Sequence, residues 1–168
     1  MKNALKALAD NNIPINWGTL LVGWRGLKTF FPQISAPDVI QFAIQKLETE
    51  ASVPEQVLRL ASLYETDTHE VSSLLFSLSK SVPYDHDIEE RKWRLVMLID
   101  LLQHLPDDPM NGTLELVDFW SSWGFPKGSP ISEININKYS DRQSFEKLRA
   151  DLELWINREK NIVRINRV

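Results

Sequence analysis

Asp87-Ile88-Glu89-Glu90-Arg91-Lys92-Trp93-Arg94-Leu95-Val96-Met97-Leu98-Ile99-Asp100-Leu101-Leu102 decides the fold class of this chain. Its acidic opening suits a helix N-terminus, where carboxylates meet the positive end of the backbone dipole. Its interior, Trp93, Leu95, Val96, Met97, Leu98, Ile99, Leu101 and Leu102, is apolar nearly all round. A helix of that composition belongs at the centre of a helical protein, covered on most sides.

The flanks repeat the helical signal. Upstream, Asp67-Thr68-His69-Glu70 starts a helix with Val71, Leu74, Leu75 and Leu78 at helical spacing. Before it, Ser52-Val53-Pro54-Glu55 sets a capping serine three residues ahead of a carboxylate, followed by Val57, Leu58, Leu60, Ala61, Leu63 and Tyr64. Ser35-Ala36-Pro37-Asp38 is the same device. There the carboxylate reaches back to the serine amide while the hydroxyl takes an early helix amide. Val39, Ile40, Phe42, Ala43, Ile44 and Leu47 carry that helix to residue 50. The two boxes match at an offset of 17 residues. A stacked repeat needs about three units, so two neighbouring helices with the same good cap explain the match better. Nearer the N-terminus, Trp17, Leu20, Leu21 and Trp24 share one helix face.

Downstream, Pro106 and Pro109 break the pattern, and Asp107, Asp108, Asn111 and Gly112 make the connection polar. A helix from Thr113 to Trp123 stops at Gly124, a residue suited to the left-handed position past a helix end. Residues 124–140 are the least regular, with Ile131, Ile134 and Ile136 hinting at a short extended piece. Ser140-Asp141-Arg142-Gln143 opens a last long helix whose buried stripe is Phe145, Leu148, Leu152, Trp155 and Ile156. The tail, Ile162 to Val168, alternates apolar and polar residues, as an edge strand or a frayed end would. The fold expected is all-α: one domain over residues 1–168, six to eight helices packed as successive hairpins, with the option of one short C-terminal strand.

The chain of 168 residues is 43% hydrophobic, enough for a packed interior. It has no cysteine, which removes disulfides, thiolate metal sites and cysteine nucleophiles. Its start, Met1-Lys2-Asn3-Ala4-Leu5-Lys6, runs into Asp10-Asn11-Asn12 before any apolar stretch long enough for a signal peptide. No apolar run approaches the roughly 20 residues that span a bilayer. A cytoplasmic protein without membrane contact is expected.

Charge is the most informative functional feature. Residues 48–118 carry fifteen acidic and five basic side chains, a local net charge of −10 in a chain whose total is −4. Such a field steers basic partners and repels nucleic acid. Glu65, Asp67, Glu70, Asp85, Asp87, Glu89 and Glu90 face only Lys80 between residues 65 and 90. Helix N-terminal carboxylates account for several of them singly, but not for the missing lysines. If the turns before residues 68 and 88 fall at one end of a hairpin array, these carboxylates make one acidic face.

Catalytic signals are weak. In Asp85-His86-Asp87, adjacent side chains point different ways, and a helix cap at Asp87 explains the segment. Hydrolytic metal sites show histidines at helical spacing instead. His104, near Asp107 and Asp108, sits where a helix C-terminus favours a cation. Ser129, between Gly128 and Pro130, reads as a turn residue. No nucleophile elbow, phosphate loop or dinucleotide fingerprint occurs. No catalytic residue, metal or cofactor is expected, and a hydrolase built from Asp85, His86 and His104 is the less favoured alternative. The basic end, Arg158, Lys160, Arg164 and Arg167 with Trp155 nearby, could hold single strands, yet the acidic middle opposes a polyanion. Tryptophans 17, 24, 93 and 155 fall on apolar stripes and belong in the core, as do Trp120 and Trp123 at i, i+3. Trp123, just before the irregular loop, is the one expected to be exposed if any is.

Four segments carry a resemblance: Ile15-Asn16-Trp17-Gly18-Thr19-Leu20-Leu21-Val22-Gly23, Pro37-Asp38-Val39-Ile40-Gln41-Phe42-Ala43, Lys92-Trp93 and Gly124-Phe125-Pro126. They resemble a family of small bacterial helical proteins of unassigned biochemical function. Proteins that look like this often belong to the immunity class of toxin–immunity pairs, of the contact-dependent growth-inhibition type. The resemblance implies a cytosolic protein that binds a cognate toxin domain; a monomer or weak homodimer is expected. It brings no catalytic residues. A basic nuclease is the partner expected of an acidic inhibitor, with Glu65, Asp67, Glu70, Asp85, Asp87, Glu89 and Glu90 opposite its cations and Trp123, Phe125 or Tyr139 as aromatic anchor. A structural or scaffolding helical module is the alternative from another class.

Overall fold

The computed structural model describes residues 4–27, 30–132, 136–139 and 141–165. Among them are eight α-helices: α1 Ala4–Asp10, α2 Trp17–Arg25, α3 Ala36–Thr49, α4 Glu55–Ala61, α5 Thr68–Ser81, α6 His86–His104, α7 Pro109–Ser122 and α8 Arg142–Ile165. A 3-10 turn spans Ile136–Tyr139. One isolated bridge, Leu27 with Phe30, is the sole β pairing among the described residues. The all-α fold expected from the sequence is therefore the fold of the chain.

Some helix ends follow the local cap chemistry and others depart from it. At α3 the Asp38 carboxylate reaches back as expected, but Oδ2 accepts from both the Ser35 amide and the Ser35 hydroxyl, each at 2.7 Å. The matching Ser52 device does not start α4, whose N-cap is Pro54. A β-branched Val53 before proline is held extended, so the helix begins two residues later than a Ser52 cap implies. At α6, Asp85 rather than Asp87 takes the capping role, accepting from the Asp87 amide at 2.9 Å. Asp108 caps α7 by accepting from the Asn111 amide at 2.9 Å, with Pro109 in the first turn. The stretch around Pro109 thus starts a helix, because proline fits a first turn that has no amide partner to lose. Gly124 has φ 67, and its amide bonds Ser121 O while the Phe125 amide bonds Trp120 O, each at 2.9 Å. That pair of bonds closes α7 as the Gly124 signal predicts. The alternating tail is helical through Ile165, so residues 162–165 form no edge strand. Val163 continues the buried stripe of Trp155 and Glu159 at i, i+4 spacing. Ile136 opens the 3-10 turn instead of a strand, and Ile134 lies outside the described residues. The short α1 carries no cap signal and was not expected.

Contacts divide the chain into two compact units, one ending at Trp93 and the other spanning Arg94–Ile165. In the first, α3 packs on α4 and α5, α4 on α5, and α2 on α5. Its core includes Leu8, Leu20, Val39, Val57, Leu60, Val71, Leu75 and Trp93. Each fully buried leucine or valine contributes roughly 1.5–3 kcal/mol. In the second, α7 and α8 pack on each other and on the 3-10 turn. The Trp120 and Trp155 rings meet edge to face at 5.0 Å, and Phe145, Leu148 and Leu152 form the stripe read from the sequence.

Candidate functional site

The α4–α5 connection carries several exposed residues of the first unit. The Tyr64 amide donates to Asp67 Oδ2 and the Asp67 amide donates to Tyr64 O, both at 2.9 Å. These reciprocal bonds close a four-residue turn and spend the Asp67 carboxylate on holding it. The turn displays Tyr64, 78% exposed, together with exposed Glu65. On the first turn of α5, Glu70 pairs with Arg59 of α4 at 2.6 Å. Both partners are exposed, so the pair contributes about 0.2–1 kcal/mol at most. Among the described residues neither Glu65 nor Asp67 meets a cation.

Two shallow concavities flank the outer side of α3. One, of about 530 Å³, lies between α3 and the 61–65 connection, with Ile40, Ile44 and Leu63 in its lining and Asp38, Tyr64 and Glu65 among its polar groups. The other, of about 330 Å³, is bounded by α1 and α3 and includes Lys6, Ile15 and Phe42. Asp38 and Gln41 line both.

The single acidic face is corrected by the structure. The turn before α5 and the turn before α6 are separated by one helix, α5, and so occupy its opposite ends. Its 14 residues span about 20 Å at the helical rise. Glu65, Asp67 and Glu70 belong to the first end. Asp85, Asp87 and Glu90 belong to the second, with Asp85 and Asp87 exposed and Glu90 half-buried.

Glu89 leaves the surface altogether. Its side chain is 2% exposed and pairs with Lys92, equally buried, at 2.8 Å. Thr19 Oγ1 donates to Glu89 Oε2 at 2.6 Å and Asn16 Nδ2 to Oε1 at 3.0 Å. Asn16 meanwhile caps α2 by accepting from the Thr19 amide at 2.8 Å. The Trp93 indole donates to Thr19 O at 2.9 Å, and a Cβ at Gly23 would overlap the Trp93 ring. The polar residues of two segments far apart in sequence, Asn16 and Thr19 with Lys92 and Trp93, thus form one buried knot between α2 and α6. A fully buried ion pair needs its remaining oxygens bonded, which is the task Asn16 and Thr19 perform. The knot lines neither concavity.

The aromatic candidates belong to the second unit. Trp123 is 7% exposed, with the Arg94 guanidinium 5.5 Å from its ring centre and Phe119 at 6.2 Å. It is core, not an exposed anchor, because its i, i+3 spacing from Trp120 keeps it on the inner face of α7. Phe125 is half-buried at φ 49, a left-handed position that a bulky residue adopts at a cost. Tyr139 is half-buried too, and its carbonyl accepts from the Thr113 hydroxyl at 3.2 Å.

A sequence model of one protein family matches residues 5–160. The chain belongs to that family, described as an uncharacterized protein conserved in bacteria (DUF2247). No curated protein and no solved structure matches it. All four resemblance segments lie within the stretch matched by the family, and two of them build the Glu89 knot.

The hydrolase candidates do not converge. His86 opens α6 and His104 closes it, the two ends of a 19-residue helix, roughly 27 Å apart at the helical rise. His104 Nδ1 lies 2.8 Å from Asp100 O. Among the described residues no group of three or more His, Asp or Glu side chains could hold a metal ion, and no helix is long and apolar enough to cross a membrane. The sequence places Tyr64 at the end of the helix that follows Ser52, but α4 stops at Ala61. The exposure of Tyr64 was signalled by the Glu65-Thr66-Asp67 turn after it, since α5 starts at Thr68.

Proposed function

We propose that this protein acts by binding another protein, as the cytoplasmic immunity partner of an interbacterial toxin domain with a basic surface. The observation that carries this reading is a set of exposed carboxylates with few cations opposite them. The exposed Glu65 and the half-buried Asp67 meet none among the described residues, in a segment of net charge −10. An acidic inhibitor associates quickly with a basic nuclease by electrostatic steering and competes with the phosphates the nuclease would hold. No catalytic step is assigned to the chain. The test is co-expression with the toxin domain encoded beside its gene. Growth rescue, and an association rate that falls as salt rises, are the expected results. Rescue that persists with Glu65→Lys and Asp87→Lys combined, at an unchanged rate, would remove the acidic surface from the mechanism.

A further inference from the structure

We infer that the concavity between α3 and the 61–65 connection is the docking groove. Its occupant is a cationic segment of the partner protein that pairs a lysine or arginine with an aliphatic or aromatic side chain. The inference rests on the protein-binding reading above and locates it. Ile40, Ile44 and Leu63 supply an apolar lining, and Asp38 and Glu65 supply two carboxylates to the same groove. No lysine or arginine lines it, whereas the neighbouring concavity contains Lys6. Both hydrogen bonds that Asp38 accepts fall on Oδ2, so its capping role occupies one oxygen of the pair. A purely apolar occupant would desolvate two carboxylates without compensation, and an acidic one would be repelled. A segment carrying both characters satisfies both parts of the lining.

Tyr64 is the anchor. It is the exposed aromatic of this groove, and its backbone is locked by the two bonds to Asp67. A displayed tyrosine on a closed turn has little freedom left to lose on binding, which is the economy that makes tyrosine a frequent hot spot. The far end of α5, with Asp85, Asp87 and Glu90, has neither an exposed tyrosine nor one of these concavities beside it among the described residues.

The experiment titrates the full chain with a short amphipathic leucine–lysine peptide, followed by amide NMR, with the leucine–glutamate peptide of the same pattern as control. Saturable shifts confined to residues 37–44 and 61–65, from the lysine peptide alone, are expected. Tyr64→Ala combined with Glu65→Lys should weaken binding about tenfold or more, while Glu153→Lys, at an exposed position of α8, leaves it unchanged. Both altered side chains are exposed, so far-UV circular dichroism should stay that of the wild type. Equal binding by the Tyr64/Glu65 variant, or shifts centred on residues 85–90, would overturn the groove. Self-association of the wild type abolished by the same variant would overturn it in favour of a second copy as occupant. Full neutralisation of the toxin by the Tyr64/Glu65 variant would overturn the groove while leaving the immunity reading intact. Groove-specific peptide binding without toxin neutralisation would support the groove and sink that reading.

Discussion

Glu89 shows how far a side chain can depart from the stretch of sequence that contains it. Its segment is acidic, with Asp85 and Asp87 exposed and Glu90 half-buried, but its own carboxylate accepts from Thr19, Asn16 and Lys92 and is 2% exposed. Removing either charge strands the other in the core. Glu89→Ala or Lys92→Met alone should cost about 3–5 kcal/mol, and Glu89→Leu with Lys92→Met should recover most of it. Urea unfolding of the three variants checks this; an additive double loss would contradict it. Gly23→Ala presses a methyl group into the Trp93 ring and should cost about 1–3 kcal/mol, seen in the melting temperature. Charge reversal at Glu89 would therefore report on folding, not on docking. Nothing local distinguishes Glu89 from Glu90. Only the arrival of α2, more than sixty residues earlier in the chain, makes one of them internal.

At the level of elements, caps decided where helices begin and were partly legible. Asp38, Asp67 and Gly124 act at the ends they mark, though Asp67 bonds the Tyr64 amide. The cap expected of Asp87 falls to Asp85, and Asp108, expected only to make a connection polar, caps α7, because two aspartates close in sequence do not reveal which one turns its oxygen to the helix. Asp108→Ala should destabilise the chain by about 1 kcal/mol, measured by chemical unfolding. At α8, hydrogen bonds from the Ser144 side chain and then from its amide hold the exposed Asp141 carboxyl below the ordinary aspartate value. A carboxyl whose folded value is depressed contributes stability that is present above its unfolded value and lost as pH falls through the folded one. The first turn of α8 should accordingly loosen in acid below the normal aspartate range. Ser144→Ala should raise the Asp141 midpoint in an NMR titration; an unmoved midpoint would show that the hydroxyl is not the main cause. Element length also settled the acidic face: α5 holds its two carboxylate groups at opposite ends, so proximity in sequence did not become proximity in space.

For the whole molecule, the net charge of −4 and the −10 middle set long-range behaviour that survives any detail of packing. Association with a basic partner should slow as ionic strength rises past the point where the screening length drops below about 10 Å. Glu65→Lys should flatten that dependence more than Glu90→Lys, because Glu90 is half-buried. Stopped-flow rates at two salt concentrations decide between them; equal slopes would place the steering charge elsewhere.

The sequence by itself determined the all-α class, most of the helices, the apolar stripes of α5 and α8 and the acidic middle, since each follows from local periodicity and charge count. Tertiary structure alone decided which carboxylates face water. It buried Glu89 against α2, placed Trp123 under Arg94 and left Tyr64 outside both helices that flank it. The physical reason is that exposure depends on which distant element arrives to cover a side chain, and periodicity within one element carries no record of that arrival.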